Sequence, residues 1–106
     1  MTTKYTLYIG LNDKDTKTQL IDTETSYKIV GDILTQNDLD YTISTAQGGY
    51  THENGEKVVE NTLRVELLEF GASIKENILK ASKEIKYLLN QESIAFQVEN
   101  VESELI

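Results

Sequence analysis

Residues 41–70 read YTISTAQGGYTHENGEKVVENTLRVELLEF. This stretch decides the fold, because two strand-like runs, YTISTA and KVVENTLRVELLEF, flank the turn-rich segment QGGYTHENGE. In the first run Tyr41, Ile43 and Thr45 alternate with Thr42, Ser44 and Ala46. In the second, apolar Val59, Leu63, Val65 and Leu67 alternate with Glu60, Thr62, Arg64 and Glu66. A period of two residues places one set on a core face and the other on a polar face. The pair Asn54-Gly55 predicts a tight hairpin turn, since both residues tolerate positive φ. Gly48 and Gly49 predict a bend or bulge in the first of the two strands.

Working outward, Tyr5, Leu7, Ile9 and Leu11 alternate with Thr6, Tyr8 and Gly10, which predicts an N-terminal strand. After the polar NDKDTKTQ, Asp22 and Thr23 are candidate N-caps for a helix carrying Tyr27, Val30, Ile33 and Leu34 at helical spacing. Gly31 weakens that helix and suits a close approach to a sheet. On the C-terminal side, Gly71, Ala72 and Ser73 end the strand and predict the cap of a second helix. Its apolar stripe is Ile74, Ile78, Ala81, Ile85, Leu88 and Leu89. Following LNQES, Ile94, Phe96 and Val98 alternate with Ala95 and Gln97 as a last strand. The order strand, helix, strand, strand, helix, strand is that of the ferredoxin-like, split βαβ arrangement. The expected class is therefore α+β, βαββαβ, with two helices on one face of a four-stranded antiparallel sheet. Its open face would carry Thr6, Tyr8, Thr42, Ser44, Thr62, Arg64, Glu66 and Gln97.

A chain of 106 residues is expected to form one domain over 1–106. A net charge of -8 opposes direct nucleic-acid binding, which needs Lys and Arg to neutralise phosphates. With no cysteine, neither a disulfide nor a thiolate site arises. No run approaches the length of a signal-peptide core or a membrane span, so no membrane contact is expected and a cytoplasmic location is the default. Asn12, Asp13 and Asp15 begin a calcium-loop-like pattern, but Lys17 occupies the next ligand position, and no metal or cofactor is expected.

Candidate chemistry gathers around the hairpin. His52 is the only histidine, and with Glu60 it makes the smallest acid–base pair the chain offers. Its alternative is a solvated loop side chain. Arg64, the only arginine, presents a fork suited to carboxylate or phosphate, or else pairs with Glu60, Glu66 or a neighbouring strand. Tyr8 and Tyr50 offer rings for stacking, or for packing against a neighbour.

The segments Tyr8 to Gly10, Tyr41-Thr42, Gly49-Tyr50, Gly55, Glu60 and Asn90-Gln91-Glu92-Ser93-Ile94 resemble, across most of the chain, a family of small bacterial and phage proteins. That family is known only as a domain of unknown function. The chain departs from it where Tyr50 stands for the usual tryptophan and where Asn61 and Thr62 follow the glutamate. The topology also resembles trimeric PII-like signal proteins, which bind nucleotides between subunits beside a long loop joining strands two and three.

Three functions are open to such a chain. The leading expectation is a non-enzymatic, homo-oligomeric module binding a small anionic ligand, a nucleotide being one candidate, through Tyr8, Tyr50, His52 and Arg64. The acidic surface counts against an anion. The second is an acidic interaction protein with a basic protein partner, such as a phage inhibitor of host defence or a sponge for a host nucleotide signal. The third is a small enzyme using His52 with Glu60.

Overall fold

A computed structural model describes residues 2–106. Its elements are β1 (Thr2–Gly10), α1 (Thr23–Gln36), β2 (Thr42–Thr51), β3 (Lys57–Glu69), α2 (Lys75–Leu88) and β4 (Ala95–Val101). The strands form one antiparallel sheet in the order β2-β3-β1-β4. This is the ferredoxin-like architecture, with β1 and β3 at the centre. Leu7, Ile9, Leu63, Val65 and Leu67 on the inner face meet Val30, Ile33 and Leu34 of α1 and Ile78, Ala81 and Ile85 of α2 in one core. Burying each aliphatic side chain there contributes about 1.5–3 kcal/mol.

Alternation identifies the inner face correctly, but only where a helix covers it. Val59 keeps the inward phase and is nevertheless 65% exposed, because its end of β3 extends beyond the core. Leu88, Val98 and Tyr27 are likewise exposed. The Tyr27 hydroxyl instead donates to the Ile43 carbonyl at 3.3 Å.

Helix α1 begins as its sequence dictates: the Asp22 carboxylate accepts from the Thr25 amide at 2.7 Å and the Thr25 hydroxyl at 2.9 Å. A Cβ on Gly31 would lie 2.9 Å from the hydroxyl of Tyr41, the residue before β2, so the close approach is to that side chain and not to the sheet. The start of α2 differs from the expected Ser73 cap. Ile74 precedes the helix without a side-chain cap of its own, and the Glu69 carboxylate at the end of β3 accepts from its amide at 3.0 Å. The same Glu69 oxygen accepts from Tyr5 at 3.1 Å, tying helix entry to the central strand.

The hairpin also departs from its expected form. β2 runs unbroken to Thr51, with Gly48 opposite Glu60 and Gly49 opposite Val59, so the two glycines make no bulge. The turn spans residues 52–56. His52 accepts from the Gly55 amide at 2.9 Å and donates its own amide to Glu56 at 2.8 Å. Only Gly55 has positive φ, at 86°; Asn54 instead uses its side chain to accept from the Glu56 amide at 2.9 Å. This is the longer hairpin loop with a glycine in the left-handed region, not a two-residue turn. No long loop therefore joins β2 and β3.

Candidate functional site

The open face is built in cross-strand rows. Tyr8 pairs with Arg64 and Ala95, and Arg64 pairs with Ser44; the next row is Gln97, Thr6, Glu66 and Thr42. All the residues expected on the open face share it. Their chemistry divides, however, between an ion-paired patch and a cleft.

The patch holds Arg64. Its Nε lies 3.2 Å from the Ser44 hydroxyl and 3.7 Å from Glu66, while the Lys4 ammonium reaches Glu66 at 2.8 Å. The Lys4 hydrogen bond holds the Glu66 carboxyl below the usual carboxylate range. Arg64 thus takes the intrachain pairing that was its structural alternative and does not line the cleft.

The cleft, of about 420 Å³, opens at the end of the sheet where β1 leaves it. Tyr8, Tyr50, His52, Glu60, Lys14 and Lys17 are among the residues around it. Tyr8, Tyr50 and His52 are thereby brought together, with the rings of Tyr50 and His52 edge to face at a centroid separation of 5.2 Å. Burial, and then the charge of Glu60, push the Tyr50 phenol above its ordinary value.

Glu60 brings a carboxylate from β3 to the cleft. One carboxylate oxygen accepts from the Asn12 amide at 2.8 Å. Its carboxylate lies across Gly10, where any Cβ would overlap it. A glycine at the end of β1 and a free amide two residues later therefore form the seat of this side chain. The glycine at 10 was legible in the sequence, but the seat was not, because it requires the register that sets Gly10 against Thr62.

One wall is an arm, residues 12–19, closed by a bridge between Asn12 and Gln19. The Asp13 carboxylate accepts from the Asp15 and Thr16 amides, both at 3.0 Å. Asn90, at a positive φ of 48°, donates its side-chain amide to Asp13 at 2.8 Å and to Asp15 at 2.9 Å. Gln91 adds a bond to the Asn12 carbonyl at 2.9 Å. The Asn90 contact, followed by the Thr16 amide, holds the Asp13 carboxyl below its usual range. Asp13 and Asp15 thus serve as acceptors within the arm.

No family model matches the chain, and no curated protein sequence does. Solved structures do. A phage S-adenosylmethionine lyase in complex with S-methyl-5′-thioadenosine is similar over 92% of this chain and 80% of its own, with a TM-score of 0.73 and 22% identity. The divalent cation tolerance protein CutA from Archaeoglobus fulgidus is similar over 99% and 88%, with a TM-score of 0.59 and 11% identity. The GlnK–ATP complex of B. subtilis follows over 92% and 81%, with a TM-score of 0.55 and 12% identity. These likenesses establish the fold alone.

Proposed function

We propose that the cleft binds an S-adenosylmethionine-type sulfonium nucleoside within a homo-oligomer and cleaves its C–S bond, leaving S-methyl-5′-thioadenosine. The seating of the Glu60 carboxylate beside Tyr50 and Tyr8 carries this reading. A fixed negative charge near aromatic faces suits a cationic centre. The acidity of the chain, which counted against an anion, favours such a ligand. A volume of about 420 Å³ lies in the ~300–1,000 Å³ range of small-molecule sites. The phage lyase with its bound thioadenosine supplies the ligand class.

This reading removes the chief objection to an enzyme, the lack of an activated nucleophile. The sulfonium sulfur takes the electron pair of the breaking C–S bond and leaves as a neutral thioether. The substrate's own carboxylate supplies the pair that carbon loses, closing on the γ-carbon to a five-membered lactone, so the nucleophile comes from the ligand. Binding and orientation then do most of what catalysis requires. Glu60 and Tyr50 hold the sulfonium end, and Tyr8 packs against the nucleoside. The test is incubation with S-adenosylmethionine followed by chromatography for S-methyl-5′-thioadenosine. Glu60→Gln is expected to lower the rate by about 100-fold or more, the scale of removing a preorganised electrostatic contact. An undiminished rate in that variant would remove Glu60 from the account.

The second reading is retention of a nucleotide without turnover, supported by the fold likeness to the GlnK–ATP complex and by the cationic side chains on the cleft. Its signature is thermal stabilisation by ATP that exceeds stabilisation by S-adenosylmethionine, with no product formed.

A further inference from the structure

The charged residues around the cleft are Glu60 on β3 beside Tyr50, Asp13, Lys14 and Lys17 on the arm, and Glu92 after α2. The Asp13 carboxylate is already engaged by Asn90 and two arm amides. Among the described residues, neither lysine is paired with a carboxylate, in contrast to Lys4, which meets Glu66 and Glu99. The arm is also a built support. Its backbone closes on itself, with the Lys17 amide donating to Asp13 at 2.8 Å and the Asp13 amide donating to Thr18 at 2.8 Å. The Lys14 amide donates to the Asn90 carbonyl at 3.0 Å, so the segment after α2 fixes the base of the arm from outside. Lys17 itself sits at φ 62°, a left-handed conformation uncommon for a non-glycine residue and maintained here by those bonds.

We infer that Lys14 and Lys17 form a carboxylate-recognition element, which selects ligands bearing an amino-acid end in addition to the sulfonium nucleoside. The inference rests on the proposed function and deepens it. S-adenosylmethionine carries its cationic sulfur a few bonds from a zwitterionic amino-acid end, whose carboxylate suits the two arm lysines and whose ammonium suits the acids beside them. S-methyl-5′-thioadenosine lacks the amino-acid end altogether. The arm thereby discriminates substrate from product: the product loses both the positive sulfur and the carboxylate, and with them its contacts to both walls. Asn90 acts as a positioning residue, holding the arm through Asp13 and Asp15.

The test compares half-saturation by S-adenosylmethionine with the dissociation constant for S-methyl-5′-thioadenosine, in the wild-type chain and in K14M/K17M. Loss of a charge-assisted contact is expected to raise half-saturation about tenfold or more. Product affinity should stay within about twofold, since the product makes no contact with the lysines. The K14R/K17R variant should restore most of the lost affinity, because a guanidinium also binds carboxylate. Unchanged half-saturation in K14M/K17M overturns the inference, and so does an equal loss for both ligands, which would mean that the arm merely shapes the cleft. A wild-type chain that neither binds nor cleaves S-adenosylmethionine overturns the proposed function, and the inference with it.

Discussion

At the scale of single residues, Gly10 and Glu60 are the pair on which the site turns. The Glu60 carboxylate occupies the space that a side chain at position 10 would fill. Gly10→Ala is expected to displace the carboxylate from the Asn12 amide, so the ligand response should fall, while stability changes less because the displaced group is the far end of a flexible side chain. Denaturant midpoints and ligand-induced thermal shifts read the two effects separately; an alanine variant with wild-type ligand response would mean that the seat is not needed. Tyr50 and His52 were recognisable in the sequence because they cluster within one turn-rich span. Arg64 illustrates the opposite outcome. Its residue type, its place on the open face and a pairing with Glu66 or a neighbouring strand were all legible; the choice between pairing and a ligand depends on side-chain geometry that one-dimensional patterning does not carry. In the sequence Lys17 stands out only as the residue that breaks a calcium-loop-like pattern, and the relation of the arm lysines to the cleft comes from folding.

At the scale of elements, strand periodicity and the Asp22 cap determine most of what is observed, while long-range partners determine the rest. Ser73 has the residue type of a cap, yet Glu69 accepts the Ile74 amide, because β3 ends beside the start of α2. Glu69→Ala is therefore expected to destabilise the protein by about 1–2 kcal/mol, the range of a lost cap, whereas Ser73→Ala should change stability little. Equal effects of the two in urea unfolding would contradict this assignment. The arm makes a pH-dependent prediction. Because Asn90 and the Thr16 amide hold the folded Asp13 pKa below its unfolded value, their contribution is present above the ordinary carboxylate range and is lost as pH falls through the folded pKa. Asn90→Gly keeps the left-handed backbone while deleting the donor. The stability gap between wild type and this variant should be larger near neutral pH and should close only once the pH is low enough to protonate the folded carboxyl. A gap independent of pH would separate Asn90 from the Asp13 charge.

At the scale of the whole molecule, the 46 Å long dimension reflects a 13-residue β3. A strand of that length spans about 43 Å. The core covers only part of it, which explains why Val59 retains the alternating phase but lies exposed. Core truncation should accordingly depend on position: Leu7→Ala, fully buried at the centre, is expected to cost about 2–5 kcal/mol, and Val59→Ala far less. The four-stranded order was readable because alternation and turn residues agree with one topology; the cleft was not, because it assembles β1, β3, the arm and the segment after α2. Its proposed role also requires the chain to associate, with the exposed polar face and the projecting hairpin available to neighbouring copies. The most direct measurement is the product of the purified chain incubated with S-adenosylmethionine, beside the Glu60→Gln variant. The account predicts accumulation of S-methyl-5′-thioadenosine by the wild type and a loss of about 100-fold or more in the variant. Intact S-adenosylmethionine after prolonged incubation, with no thermal stabilisation by either compound, would contradict it.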